Sequence, residues 1–265
     1  MYSRAIHLNN AVLSYDVHGH GSRALLMFHG AGQDRSIFHR LPSGLTSHYR
    51  VYAFDLFFHG ESQWNNPAPV SKNDWRILVE EFCAIEQVEK ISVLGYSIGA
   101  RFALATLEAL PHKMQACFLV APDGLSPNRW FSIATGSGMG RNVFRNCMHH
   151  PARLERMIGL ARRLGLVNSS TLRFLEHQLD SEAKRLRIYR TWTSLRLFRF
   201  DRSALHRIIE SGRIRLFVYL AAQDQMIAAA PIRVFLKRLK SAHLEVIDLN
   251  HRRVLTEALE RIATL

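Results

Sequence analysis

An α/β architecture, with a mostly parallel sheet flanked by helices, is the fold class this sequence predicts. Three observations carry it. Short apolar runs rich in β-branched and aromatic residues recur at 24–28, 51–54, 91–94, 116–120, 216–220 and 244–247. Runs of that length suit strands buried on both faces of a parallel sheet. Segments of helical period separate them, at 74–88, 100–110, 231–239 and 254–265, and strands alternating with helices are the signature of α/β packing. The rhythm stops once, after Pro122, and resumes near Ile214.

The interruption, 123–212, carries helical patterns and no strand-like run, so it is expected to be a helical insertion in a core domain formed by 1–122 and 213–265. Within it Ile188, Trp192 and Leu195 fall on one helical stripe, and Gly136, Gly138 and Gly140 mark a loop. The 265 residues, 48% hydrophobic and 22% charged, suffice to bury a sizeable core, which excludes a disordered chain. Three cysteines without C-x-x-C spacing argue against a disulfide framework and a zinc site. Without an apolar leader or a run long enough to span a bilayer, a soluble cytoplasmic protein is expected, with no integral membrane association.

The strongest chemical signal is Gly95-Tyr96-Ser97-Ile98-Gly99, which ends one strand-like run and opens a helical one. A nucleophile on so sharp a turn needs small neighbours, and the two glycines provide them. His29-Gly30-Ala31-Gly32 follows the 24–28 run. Acyl transfer places negative charge on a carbonyl oxygen, and the amides of Ala31 and Ile98 are the expected oxyanion donors. Serine also needs a base and an acid that orients it. Asp224 and His251 stand just past the 216–220 and 244–247 runs, where open α/β sheets place their sites. Asp123 competes as the acid, since it too follows a strand-like run, whereas Asp248 reads as a turn former.

The order serine, acid, histidine, the His-Gly loop and the insertion before the acid resemble the α/β-hydrolase superfamily over roughly 5–122 and 213–265. Asp55-Leu56-Phe57-Phe58-His59-Gly60-Glu61-Ser62 resembles the family's D-x-x-G-x-G-x-S loop, with Phe58 where glycine is usual; Ala221 also replaces a common glycine. The resemblance implies an eight-stranded, mostly parallel sheet, a helical cap over Ser97, and no metal or organic cofactor. It further implies an ester or thioester hydrolase working through an acyl-enzyme on Ser97, with His251 as base and Asp224 orienting it. A carbon–carbon bond hydrolase of the same fold and a non-catalytic binding protein are the alternatives.

The formal charge of +13 is uneven, because the stretch 121–212 holds 16 basic and 7 acidic side chains. Arginines interleave with aromatics from Arg185 to Phe200. A solvated amphipathic helix accounts for such a pattern. The functional expectation is a small acyl substrate with an anionic handle, such as an acyl-carrier protein or coenzyme A ester, rather than nucleic acid.

Overall fold

The computed structural model describes residues 2–126, 128–165 and 178–265. Two strands that the apolar pattern does not announce open the chain: β1 (Tyr2–Leu8) and β2 (Ala11–His18), an antiparallel pair. They are followed by β3 (Arg23–Phe28), β4 (Tyr49–Phe54), the two-residue β5 (Gln63–Trp64), β6 (Ile91–Tyr96), β7 (Met114–Val120), β8 (Arg215–Ala221) and β9 (Ala242–Ile247). Their order is β1-β2-β4-β3-β6-β7-β8-β9, with β5 paired to β2. From β4 to β9 every neighbouring pair is parallel. The sheet thus has nine strands rather than eight, the extra one being the short β5.

Residues alternate between the two faces as strand geometry requires. Leu26, Phe28, Val93, Cys117 and Leu119 enter one core, whereas Leu25, Met27, Leu94, Phe118 and Val120 enter the other. The first core is covered by α2 (Lys72–Ile85) and α3 (Gly99–Ala109); α1 (Ser43–His48) closes the second. Ser71 and Asp74 form a reciprocal capping box that starts α2, and fully buried Trp75 donates its indole N–H to Thr106 on α3 at 2.9 Å. Cys83, Cys117 and Cys147 are all buried and free.

Between β7 and β8 the described residues form helices and no strand: α4 (Arg129–Gly136), α5 (Gly138–His149), α6 (Pro151–Arg163), α7 (Glu182–Ser194) and α8 (Arg202–Ser211). Pro127 and 166–177 of the expected insertion lie outside the described residues. The loop expected at Gly136, Gly138 and Gly140 is instead a helix junction. Ser137 alone separates α4 from α5, and its hydroxyl caps α5 by accepting from the Gly140 amide. Trp192 packs on Phe131 and Phe144, and Leu195 is buried in the first core, as their shared stripe predicts. The chain ends through α9 (Ala229–Leu236), packed on the first core, and α10 (Val254–Ala263), packed on the second.

Candidate active site

Ser97 sits between β6 and α3 with φ of +53°, a left-handed backbone that a side-chain-bearing residue adopts only at a cost of about 1–2 kcal/mol. The chain can turn so sharply because its neighbours are glycine. A Cβ on Gly99 would lie 2.2 Å from the Phe28 carbonyl oxygen, and one on Gly95 would lie 2.5 Å from the Ala100 Cα. Ser97 is further held by its own backbone, whose N–H donates to Val120 and whose carbonyl accepts from Asp123.

His251 reaches Ser97 from 154 residues further along the chain, and Asp224 reaches His251 from 27 residues before it. The Ser97 hydroxyl donates to His251 Nε2 at 3.1 Å, and His251 Nδ1–H donates to Asp224 Oδ2 at 2.7 Å. The other carboxylate oxygen of Asp224 accepts the amides of Met226 and Ile227 at 2.8 and 3.1 Å. With both oxygens engaged, the carboxylate has one orientation, and it fixes the histidine tautomer that leaves Nε2 free to accept. The Tyr96 hydroxyl donates to the His251 carbonyl at 2.8 Å, so the residue beside Ser97 also anchors the backbone of the histidine. Burial raises the Tyr96 phenol well above its ordinary range, which keeps that donor protonated.

Asp123, the competing acid, is engaged elsewhere. Its two oxygens accept Arg101 Nε and Nη2 at 2.8 and 3.1 Å in a buried bidentate pair, and Arg101 also donates to the Phe198 carbonyl. Asp248 faces Gln223 at 3.1 Å.

The His29–Gly32 loop is fixed by two buried imidazoles. His29 Nε2 accepts from the Leu56 amide at 3.0 Å while its Nδ1 bonds the Gly30 carbonyl. His59 Nε2 accepts from the Gly32 amide at 3.2 Å while its Nδ1 bonds the Phe57 carbonyl. Both rings must be neutral to accept, and burial lowers His29 to about 4 and His59 to about 3. The Gly30 amide is tied to Gln33. Between these anchored amides the Ala31 N–H has no protein partner among the described residues, and neither has the Ile98 N–H. Phe58, which replaces a usual glycine, retains a left-handed backbone at φ +68°. Ala221 needs no glycine because it is the last residue of β8, paired with Ile247.

These groups open onto a cavity of about 830 Å³ lined by Ala31, Gly32, Ser97, His251, Arg252 and Gln178, among others. Gln178 comes from the segment between β7 and β8 and was not foreseen in the sequence. It is buried against Gly32, and its Oε1 has no hydrogen-bond partner among the described residues. Among the arginines expected to face a ligand, Arg185 is spent within the protein, donating to the Met148 and Leu179 carbonyls. Among the described residues, Asp16, His18 and His39 form the one group with metal-ligand chemistry. Asp16 and His18 lie on β2, none of the three lines the cavity, and Asp16 is already paired with Arg35 and His39, so a cation would have to displace a guanidinium.

Residues 23–251 match the alpha/beta hydrolase fold family. The chain belongs to that family. This alpha/beta hydrolase is also 28% identical over 112 residues to a pimeloyl-[acyl-carrier protein] methyl ester esterase of Aeromonas salmonicida, covering 42% of each chain. It is 37% identical over 62 residues to a probable alcohol acetyltransferase of Cyberlindnera jadinii, covering 23% of this chain and 17% of that one. The matches therefore span less than half the length of these curated relatives. Among solved structures, a probable hydrolytic enzyme of Pseudomonas aeruginosa superposes with a TM-score of 0.71 at 15% identity, over 99% of this chain and 92% of that one. The thioesterase domain of the curacin biosynthetic pathway superposes with a TM-score of 0.66 at 15% identity, over 100% and 98%. At such identities the superpositions speak to the fold.

Proposed function

We propose that this alpha/beta hydrolase cleaves a carboxylic ester or thioester through an acyl-enzyme on Ser97. The observation that carries the reading is the continuous hydrogen-bonded chain from the Ser97 hydroxyl through His251 to Asp224. His251 Nε2 takes the serine proton as Oγ attacks the acyl carbon, and the imidazolium so formed is stabilised by Asp224. The Ala31 and Ile98 amides hold the oxyanion; each such donor lowers the barrier by about 3 kcal/mol. His251 then protonates the leaving group, and a water activated by the same ring releases the acid. The segment between β7 and β8 acts as a cap, with Gln178 bordering the cavity. An anionic handle on the substrate is supported by Arg252, which lines the cavity next to His251. The acyl-carrier-linked ester named for the Aeromonas relative agrees with this handle.

A second reading, acyl transfer to an alcohol in place of water, is favoured by the match to the alcohol acetyltransferase. Both share the acyl-enzyme and differ in the acceptor. A fluorophosphonate probe tests what they share: the folded protein becomes labelled, and Ser97→Ala is not. Absence of labelling on folded protein overturns both readings. Product analysis with and without added ethanol separates them, and a carrier-linked ester preferred over a simple ester only at low salt supports the handle.

A further inference from the structure

We infer that α4, α5 and α6 form a docking surface for an anionic lipid bilayer. The inward sides of these helices account for their packing. Cys147 and Met148 of α5 and Leu154 of α6 build a small core with Leu179, and Phe144 and Ile158 pack against it. Yet the outward sides are apolar as well. Met139 and Val143 on α5 are one turn apart and exposed, as are Met157 and Leu160 on α6 and Leu164 capping its carboxyl end, with Leu160 at 58% and Leu164 at 62% exposure. Trp130 and Ile133 form a third exposed pair on α4. Half of the large hydrophobic side chains exposed among the described residues fall within these 35 positions. A helix needs one apolar stripe to pack in a protein, and a second stripe facing out marks an unfilled contact.

The outward stripes of α5 and α6 adjoin one another, and α4 packs beside α5. Arg153 at the start of α6 donates to the Asn146 side chain, which shares the exposed side of α5 with Met139 and Val143, at 2.6 Å. The Met157 thioether touches Cys147 of α5 at 3.3 Å. Helix α4 abuts α5 directly, with the Ile133 carbonyl lying over Gly140.

Charge selects the occupant. Seven arginines and a single acidic residue, Glu155, fall in 129–165. A second copy of the chain would oppose two such cationic faces, and a nucleic acid would find aliphatic side chains where stacking platforms are needed. Cationic groups interspersed with exposed Met, Leu, Ile and Trp suit the boundary between anionic headgroups and acyl chains, where arginine meets phosphate and the apolar stripe enters the bilayer. The inference concerns association alone and does not depend on the identity of the ester.

Flotation with phosphatidylcholine vesicles, with and without phosphatidylglycerol, tests it. The protein is expected to float with the anionic vesicles and to remain behind with the neutral ones. Leu160→Asp with Leu164→Asp is expected to lower the floated fraction by about tenfold or more. Arg162→Gln with Arg163→Gln should weaken the preference for anionic vesicles. Both double variants are expected to keep the far-ultraviolet circular dichroism and the melting transition of the wild type, which shows that they fold and separates this test from that of the catalytic reading. Equal flotation with both vesicle types, no flotation at low salt, or flotation unchanged in the leucine variant overturns the inference. So does binding of an acidic acyl-carrier protein to this face when vesicles do not bind.

Discussion

Acid should unfold this protein through the two imidazoles that hold the His29–Gly32 loop. His29 and His59 each accept a backbone N–H, and each titrates far below the 6.5 of an unfolded histidine, near 4 and 3 respectively. A depressed folded pKa means that the unfolded chain binds the proton first. The contribution is therefore fully present above about pH 6.5 and is lost as pH falls toward the folded values. Between about pH 7.5 and about pH 5, linkage gives a loss of about 2 kcal/mol for each ring, or about 4 kcal/mol for the pair. Buried His18 is shifted in the same direction and adds to this loss. The carboxylates held low by their partners, Asp16, Asp34 and Glu86, take effect mainly at lower pH. Urea unfolding at a series of pH values measures the slope directly. His59→Gln, which keeps an acceptor for the Gly32 amide without a titrating ring, should remove about half of it. A stability independent of pH over this window, or a slope unchanged in His59→Gln, would refute the reasoning.

The two carboxylates that the sequence left in competition should separate by phenotype. Asp224→Asn should cut turnover by about four orders of magnitude at near-normal stability, because the amide no longer fixes the tautomer of His251. Asp123→Asn strips a buried guanidinium of its partner and should cost about 3 kcal/mol or more in urea unfolding while labelling of Ser97 persists. The reverse pattern would exchange their roles. Gly99→Ala places a methyl against the Phe28 and His29 carbonyls, which cannot retreat without moving the His29–Gly32 loop. Its expected effect is a loss of about 2 kcal/mol together with slower probe labelling, and a variant with wild-type melting and labelling would contradict the close approach.

The legible parts of the molecule were those written in local pattern. The central parallel strands appeared as apolar runs because both their faces are buried, the half-exposed edge strand β9 kept only the shorter run 244–247, and Ser97, Asp224 and His251 were visible because each follows such a run. Strand β2 escaped notice because one of its faces carries Ser14, Asp16 and His18, and Asp16 is satisfied by Ser3, Arg35 and His39 instead of by an apolar layer. The same holds at the site. That Asp123 belongs to Arg101, that His29 and His59 brace the loop, and that Gln178 borders the cavity are facts of contacts between distant segments. No spacing rule within a single stretch encodes them. Gly136, Gly138 and Gly140 misled for a related reason: glycine density signals a break in a helix, and here the break is one residue long.

On the proposed mechanism, the placement of Asp224 and His251 after β8 and β9 also sets when Ser97 can become reactive. β6, which leads into Ser97, and its neighbours β3 and β7 all lie before residue 121, whereas β8 and β9 come later and are added at one margin of the sheet, with β9 outermost. As synthesis proceeds from the amino end, the elbow can be complete while its proton acceptor is still unmade. A nascent or carboxyl-truncated chain would therefore carry an inert hydroxyl. In the finished protein, fraying of that outer strand would silence Ser97 before the central strands are disturbed.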